Sequence, residues 1–225
     1  KYFPAELSSI ESIKSFHPDL CFNSSEGHFG SSREAQMPAI LDILRLPYTC
    51  AGVLGMSLSH NKHIAKRIFR YSGLPTADFF VLQHPDELEG HSVHFPLFVK
   101  PAFEGSSIGI NESALVRNYA DLKKQVDWVW ETIHADILVE QYIEGREFTI
   151  GILGEEVLPI VEIVSPTGFY SNEQKEDIDS EVYRVCPAHL PEEKTREFQA
   201  IALKAKHVLE LEDVCRMDLR MDADG

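Results

Sequence analysis

The chain has 225 residues, and 44% of them are hydrophobic, which is enough to bury one large core or two smaller ones. Its 36 acidic and 21 basic residues give a formal net charge of −15, which repels a phosphate backbone, so we expect no nucleic-acid partner. No apolar run reaches the ~18 residues that a membrane span needs, and the segment Lys1–Pro4 is no signal peptide. We therefore expect a cytoplasmic protein without a membrane partner.

The four cysteines, at positions 21, 50, 186 and 215, form no CxxC pair and have no histidine at the spacing of a metal site. A zinc site or a set of disulfides would need residues from scattered positions to meet. We therefore expect reduced, buried thiols.

The N-terminal part alternates between strand-like and helix-like segments. Residues 18–24 predict a short buried strand, and the loop after them contains Ser31 and Ser32, either of which can cap a helix over residues 34–46. Residues 46–52 predict a second short strand that ends in a glycine turn. This order is typical of part of a parallel α/β unit.

Hydrophobic periodicity predicts further helices and strands downstream. The predicted helices cover residues 61–71, 114–133 and 191–211. The predicted strands cover residues 79–82, 97–100, 108–111, 137–143, 147–153 and 156–164, and an alternating segment follows over 215–225. The polar stretch 165–182 is too long for a simple turn, and loops of that length are usually functional or disordered.

Lys100 ends an apolar strand immediately before the small, polar turn Glu104–Ser107. A lysine there holds its ammonium group at a fixed point, while the backbone N–H groups of the turn can face an anion such as phosphate. A hairpin whose lysine reaches solvent explains this stretch alone equally well. The spacing matches neither a Walker loop nor a dinucleotide-binding fingerprint.

Four motifs follow one another along the chain: "KPAFEGSSIG", "LVEQYIEGREFTIGILG", "GFYSNEQK" and "CRMDLRMDADG". In this order the sequence resembles the D-alanine:D-alanine ligase family of ATP-grasp enzymes over nearly its whole length. The resemblance implies an α/β (α+β) chain with the ATP-grasp fold. Residues 1–59 would be a partial, Rossmann-like pre-ATP-grasp domain, residues 60–138 an ATP-grasp subdomain with the phosphate flap, and residues 139–225 a second subdomain that is incomplete at its C-terminal end.

The resemblance also implies which residues contact ATP and the reacting groups. The expected nucleotide contacts are Lys62 and Lys100 at the phosphates, Glu104, Gly105, Ser106 and Ser107 in the flap, Glu140, Gln141, Tyr142, Ile143 and Glu147 in the strap around adenine and ribose, and Phe169 and Lys175 in a lid. Ser106 would reach the reacting carboxylate, Arg216 would stabilise the oxyanion, and Asp218 would bind Mg²⁺ or Mn²⁺.

Each of these motifs also has a purely structural explanation. Glu140 and Glu147 can be solvated residues of a surface hairpin, because most charged residues are exposed. Lys175 can simply balance the acidic residues of a disordered loop. Arg216 and Asp218 can reflect charge alternation on an edge strand.

The reaction that the resemblance implies is carboxylate activation. Magnesium and lysines neutralise the ATP phosphates, a substrate carboxylate attacks the γ-phosphoryl group, and the amine of a second amino acid captures the acyl phosphate. The family makes the D-alanine dipeptide of the peptidoglycan cell wall. The partners would be ATP and small amino acids, and a homodimer is left open.

The sequence departs from the family pattern in three places. Glu26 stands where members carry the histidine of His-Gly-x-x-Gly-Glu-Asp-Gly, Glu176 stands where a tyrosine usually follows the lid lysine, and the chain ends before the family's Glu-x-Asn. ATP use is therefore better supported than D-alanine specificity, and we expect these residues by themselves to be inactive. An ATP-grasp ligase for other amino acids and a nucleotide-binding module without catalysis stay open.

Overall fold

Two antiparallel β-sheets, each covered by one long helix, form the framework of the chain. The computed structural model describes residues 1–165 and 182–225. Its α-helices are α1 (Ile10–Phe16), α2 (Gln36–Leu44), α3 (Val53–His60), α4 (Lys62–Tyr71), α5 (Tyr119–Ile133) and α6 (Glu192–Val208). Its strands are β1 (Phe79–Leu82), β2 (Leu97–Pro101), β3 (Leu115–Val116), β4 (Ile137–Gln141), β5 (Arg146–Leu153), β6 (Glu156–Val157), β7 (Val161–Val164), β8 (Tyr183–Val185) and β9 (Val214–Met221). Short 3₁₀ helices cover Leu7–Ser9, Arg33–Ala35, Pro85–Gly90 and Glu112–Ala114. Within the described residues, none of the helices combines the length and the apolar character of a membrane-spanning segment.

The first sheet has the strand order β1-β4-β2-β3, and every neighbouring pair is antiparallel. One face packs against α5, whose Leu122, Val126 and Val129 are fully buried. Side chains alternate along β2, so Val99 points into this core while Lys100 points to the opposite face. This alternation fixes the side of the sheet on which the lysine lies.

The second sheet has the strand order β6-β5-β7-β8, and β9 pairs with β5 over the whole of Arg146–Leu153. Phe148 of β5 is fully buried under α6 and meets Phe198 of that helix edge to face, with ring centroids 5.3 Å apart. The residues that alternate with this apolar row point to the other face, where Thr149 stands directly opposite Asp218.

A third apolar cluster joins the N-terminal part to the second sheet. Ala51, Ala65 of α4, Leu209 and Leu211 are buried together, and Met217 of β9 packs against them. The cluster therefore anchors α4, which carries Lys62 and Lys66, beside the last strand.

Several of the predicted elements are confirmed. The helices predicted over 61–71 and 191–211 are present as α4 and α6, and the strands predicted over 79–82 and 97–100 are present as β1 and β2. The two sheets are antiparallel, so the α+β form of the predicted class is the one that the chain adopts.

The predicted return strand over residues 108–111 is wrong. Ser106, Ser107 and Gly109 have φ angles of +49°, +61° and +75°, and the hydrogen bonds from Ile108 N to Gly105 O and from Ile110 N to Ser107 O close two successive turns. The left-handed residues curl the chain away from β2, which pairs instead with β3.

The prediction for the N-terminal part is correct only in outline. Residues 18–24 contribute a single parallel bridge between Cys21 and Tyr48 rather than a full strand. The helix predicted from residue 34 begins at Gln36, and the Ser32 side chain accepts no capping hydrogen bond from the 3₁₀ turn before it. The thiols are free, but the expected burial is wrong, because Cys186 is exposed and the other three cysteines are half-buried.

Helix α3 was not predicted, because one glycine and two serines interrupt its apolar periodicity. Gly55 has a packing reason: a Cβ at this position would lie 2.6 Å from the carbonyl oxygen of Glu210. The close approach of the two backbones therefore outweighs the low helix propensity of glycine.

Truncating the aromatic core of the second sheet should strongly destabilise the protein. We expect Phe148→Ala to lower the free energy of unfolding by about 3 to 5 kcal/mol, because the side chain is fully buried and its removal leaves a cavity. Urea unfolding measures the loss. The control is Leu153→Ala on the same strand, where the side chain is 55% exposed and the expected change is below about 1 kcal/mol. Equal losses in both variants would contradict this packing.

Candidate active site

Two lysines hold one buried carboxylate on the face of the first sheet that lies away from α5. Glu140 of β4 and Lys100 of β2 are diagonal neighbours on that face, because Phe98 is the direct partner of Glu140. The Lys100 ammonium lies 2.5 Å from one carboxylate oxygen of Glu140, and the ammonium of Lys66 on α4 lies 2.9 Å from the other. All three side chains are mostly buried, with exposed fractions of 19%, 11% and 14% for Lys100, Lys66 and Glu140.

The pair of lysines keeps Glu140 ionised. Burial by itself raises the pKa of Glu140, but the charges and hydrogen bonds of Lys100 and Lys66 outweigh it and lower the pKa to about 2. Burial also lowers the pKa of Lys66, although the carboxylate acts in the opposite direction. Two ammonium groups share one carboxylate, so the three charged groups together carry a net charge of +1.

Lys62 is the first residue of α4 and holds the chain that follows β2. Its backbone N–H donates to the Ala102 carbonyl at 2.9 Å, and its ammonium donates to the carbonyl oxygens of Pro101, at 3.4 Å, and of Glu104. Burial, together with the nearby charge of Lys100, lowers the pKa of Lys62 to about 8. The side chain thus carries a destabilised positive charge next to the flap.

The flap, residues 104–109, contains two glycines at which a side chain would clash with its surroundings. A Cβ on Gly109 would lie 2.4 Å from Cγ of Pro101, and the positive φ there disfavours any larger residue. Gly105 is also tight, because a Cβ would lie 2.9 Å from Oε1 of Glu34. The two serines between these glycines are left-handed, so successive N–H groups are not aligned along a strand.

An arginine from the N-terminal part latches the flap. Arg33 is buried, and its guanidinium donates to the Glu104 carboxylate at 3.3 Å and to the carbonyl oxygen of Glu26. The Ser106 hydroxyl donates to the Glu26 carboxylate at 3.0 Å. These contacts, together with that of Lys62, link the flap to residues that lie far from it in sequence.

The strap is the segment 141–147, which leaves β4 and enters β5. The backbone N–H of Tyr142 and the side-chain amide of Gln141 both donate to the Pro96 carbonyl, at 3.1 and 2.9 Å. The Tyr142 ring stacks on Phe98 with centroids 6.1 Å apart. Because β4 belongs to the first sheet and β5 to the second, the strap is the covalent joint between them.

Arg216 and Asp218 contact each other on the open face of β9. The guanidinium of Arg216 lies 3.1 Å from one carboxylate oxygen of Asp218, and the hydroxyl of Thr149 donates to the other at 2.7 Å. Both charged side chains are more than half exposed. Among residues 1–165 and 182–225, no three histidine, cysteine, aspartate or glutamate side chains gather around a common point. One accessible carboxylate fits the way proteins hold Mg²⁺, through one or two carboxylates together with substrate phosphates and water.

The structure brings together part of the set of residues that the sequence predicts. Lys62, Lys100 and Glu140 meet around the start of α4, and Glu104, Gly105, Ser106 and Ser107 form the adjacent flap. Gln141, Tyr142, Ile143 and Glu147 lie on the strap. Phe169, Lys175 and Glu176 lie outside the described residues. The binding roles of all these residues stay predictions.

Three contributors were missed by the sequence reasoning: Lys66, Arg33 and Arg220. Lys66 stands four residues after Lys62, so helical spacing could have placed it on the same face. Arg33 contacts a residue 71 positions away, and no local pattern signals that contact. Arg220 follows the same period-two alternation as Arg216 and Asp218, so it could have been assigned to their face.

A family model described as "D-ala D-ala ligase C-terminus" matches residues 68–225. Similar curated proteins include three bacterial enzymes named D-alanine–D-alanine ligase. The protein from Parvibaculum lavamentivorans is 34% identical over 94% of this chain and 67% of its own length, that from Pseudoalteromonas translucida is 33% identical over 92% and 66%, and that from Bordetella pertussis is 35% identical over 91% and 64%. The chain spans about two thirds of the length of these relatives.

Solved structures share the fold. The D-alanine–D-alanine ligase of Bacillus anthracis, in a complex with ATP, superposes with a TM-score of 0.77 at 24% identity over 98% of this chain and 69% of that chain. The VanG D-Ala:D-Ser ligase of Enterococcus faecalis superposes with a TM-score of 0.75 at 23% identity over 92% of this chain and 61% of that chain. The predicted ATP-grasp fold is thereby confirmed. Because the family model covers more than half of the chain and a relative is 34% identical over most of it, the chain belongs to the D-alanine–D-alanine ligase family.

Proposed function

We propose that the protein is an ATP-dependent carboxylate–amine ligase that joins two D-alanine molecules through an acyl phosphate, for peptidoglycan synthesis. Membership of the family supports the reaction class. The observation that carries the proposal is the convergence of Lys62, Lys66 and Lys100 at the start of the serine-glycine flap. Lys66 and Lys100 share one carboxylate, and burial destabilises the charge of Lys62 despite the carboxylates near it, an arrangement that fits a polyanionic ligand better than a closed set of ion pairs.

In this proposal the lysines bind the ATP phosphates. Lys100 and Lys66 would exchange part of their contact with Glu140 for phosphate oxygens, and Lys62 would add a third charge from the flap side. The exchange has a physical basis, because burial disfavours the charged forms of Lys62 and Lys66 and a polyanion would stabilise them. Glu140 would then accept a hydrogen bond from the adenine amino group, while Tyr142 and Ile143 form the wall around the base.

The chemical step follows from these positions. An oxygen of the substrate carboxylate attacks the γ-phosphorus, the bond to the β-phosphate oxygen breaks, and ADP leaves with that electron pair. The amine of the second amino acid attacks the acyl carbon, the bond from that carbon to the phosphate oxygen breaks, and the proton that the nitrogen loses leaves with inorganic phosphate. Ser106 would orient the reacting carboxylate, and Arg216 would stabilise the negative charge that develops on the acyl oxygen.

Asp218 is the described residue that would hold a magnesium ion. Mg²⁺ supplies neutralisation of the ATP phosphates when it is bound. The contacts of Asp218 with Thr149 and Arg216 fix its carboxylate at the open face of β9. Phe169 and Lys175 would belong to a lid that excludes water.

A second candidate is a ligase for a different pair of small amino acids. One observation favours it: Glu26 accepts a hydrogen bond from Ser106, so a residue that departs from the family pattern lies directly at the predicted reacting end of the flap. A change of charge there can alter which substrate is accepted without changing the nucleotide site.

We also propose a division of the chain into three parts, 1–59, 60–138 and 139–225. The homodimer and the cytoplasmic location are proposals as well.

Phosphate release by the full-length protein tests the reaction. With ATP, Mg²⁺ and a panel of D- and L-amino acids, we expect D-alanine to stimulate phosphate release most strongly. Stimulation by a different amino acid would support the second candidate. ATP binding without stimulation by any member of the panel would contradict both ligase assignments and favour a nucleotide-binding module.

Removing either predicted phosphate lysine should weaken ATP binding. We expect Lys62→Met and Lys100→Met each to raise the Kd of ATP by roughly 10- to 150-fold, because each removes a charge-assisted contact worth about 1.5 to 3 kcal/mol. Isothermal titration calorimetry measures the change. Lys123→Met, at an exposed lysine on α5, is the matched control and should leave the Kd unchanged. Unchanged affinity in both test variants would remove the phosphate-site assignment.

ATP affinity should fall as the pH rises through the lowered pKa of Lys62. That pKa is about 8, set by burial and Lys100 against the opposing charges of Glu104, Glu140 and Glu34. Above it the ammonium loses its proton in the free protein, so ATP binding must recover that proton at a cost.

The measurement is the Kd of ATP at several values between about pH 7 and about pH 9.5. Lys62→Arg should flatten the dependence, because a guanidinium stays charged over this range. A wild-type affinity that stays constant over this range would contradict the assignment of Lys62.

The lowered pKa of Lys62 also predicts that the free protein gains stability as the pH rises from about 8 toward the ordinary lysine value, because the unfolded chain then binds more protons.

A further inference from the structure

Arg220, near the end of β9, makes a dense set of contacts with the strap. Its guanidinium donates to the Glu147 carboxylate at 2.8 Å, to the Ile143 carbonyl at 2.8 Å, to the Gly145 carbonyl at 3.2 Å and to the Tyr142 hydroxyl at 3.0 Å. The charged group also lies 4.6 Å from the centroid of the Tyr142 ring. One side chain therefore contacts both ends of the strap and its middle.

The register of the second sheet explains this reach. Arg220 stands directly opposite Glu147 in the β5-β9 ladder, so the two side chains share the open face of the sheet. Their exposed fractions are only 20% and 22%. A charged partner holds a carboxylate this well covered in one orientation, and Arg220 supplies that partner.

The strap backbone is held as firmly as its side chains. Ile143 and Gly145 lie between β4 and β5, outside regular secondary structure. The guanidinium of Arg220 donates a hydrogen bond to the carbonyl oxygen of each. A planar guanidinium can do this because its donors have a fixed fork geometry, which a lysine lacks. Arg220 thus links the strap to a strand that follows it by more than 70 positions in sequence.

We propose that Arg220 is a positioning residue for ribose recognition, which acts by holding Glu147 and the strap in the orientation that binds the nucleotide. The inference rests on the proposed function, in which Glu147 accepts hydrogen bonds from the ribose hydroxyls. It goes beyond that proposal by making the sugar contact depend on a residue to which the proposed function assigns no contact with the nucleotide.

A purely structural role for Arg220 predicts a different result. Loss of a staple between strap and β9 would lower stability and weaken the binding of every nucleotide by the same factor. A positioning role through Glu147 instead changes the preference for nucleotides that carry the 2′-hydroxyl. The ratio of the Kd values for 2′-deoxy-ATP and ATP separates the two, because a site built to bind a hydroxyl rejects the analogue that lacks it.

The experiment measures both Kd values by calorimetry on the full-length protein and on six variants of it. We expect the wild type to prefer ATP by about tenfold or more, and Arg220→Met and Arg220→Gln to reduce the ratio to about twofold or less. Arg220→Lys should recover part of the preference through its remaining charge. Arg196→Met is the control: Arg196 pairs with Glu192 at 3.2 Å on the exposed side of α6, outside the strap, so the ratio should stay as in the wild type.

Melting temperatures identify any variant that fails to fold, and the Met and Gln variants each suffice for the test. Glu147→Gln should lower the ratio by itself, and adding Arg220→Met to it should change the ratio no further. If the wild type prefers ATP and both variants keep that preference, the inference is overturned. If the wild type binds the two nucleotides equally, the inference also fails while the proposed function stands. A wild type that does not bind ATP overturns the proposed function itself.

Discussion

The candidate site depends on one buried carboxylate, Glu140, held between two ammonium groups. Burial by itself raises the pKa of the Glu140 carboxylate, because it favours the protonated form. With Lys100 and Lys66 in contact it is ionised, and the two lysines gain a partner that keeps them ordered in the absence of another anion. The positive charges of Lys66 and Lys100 are therefore already in position. An anion could bind to them with little rearrangement of the protein.

The remaining polar contacts connect this centre to distant parts of the chain. Arg33 ties the flap to the N-terminal part, Arg220 ties the strap to β9, and Lys62 ties the beginning of α4 to the end of β2. Each of these cations satisfies backbone carbonyl oxygens as well as, in the two arginines, a carboxylate. The segments without regular secondary structure around the site are thus held by side chains that come from elsewhere in the fold.

The residues that sequence alone could identify are those with a local signal. Lys100 stands at the end of an apolar strand, and Arg216 and Asp218 alternate on β9, so their placement follows from short-range patterns. The prediction of a return strand over residues 108–111 is wrong, because a pair of serines gives no sequence signal for the left-handed φ angles of Ser106 and Ser107. The contacts of Arg33 and Arg220 could not be predicted, because they join segments that only the folded chain brings together. The sequence predicts a contact of Glu140 with adenine, but not its pairing with Lys66, because that contact depends on the packing of α4 against the sheet.

Gly145 gives the joint between the two sheets a property of its own. Its φ is +150°, and a Cβ there would lie 2.0 Å from the carbonyl oxygen of Met221. The two backbones are in direct contact at this point. The distance between the strap and β9 is therefore set by backbone atoms, and no side-chain rotamer affects it. A side chain at position 145 would consequently force the strap and β9 apart, and Arg220 would shift relative to the strap backbone that it contacts.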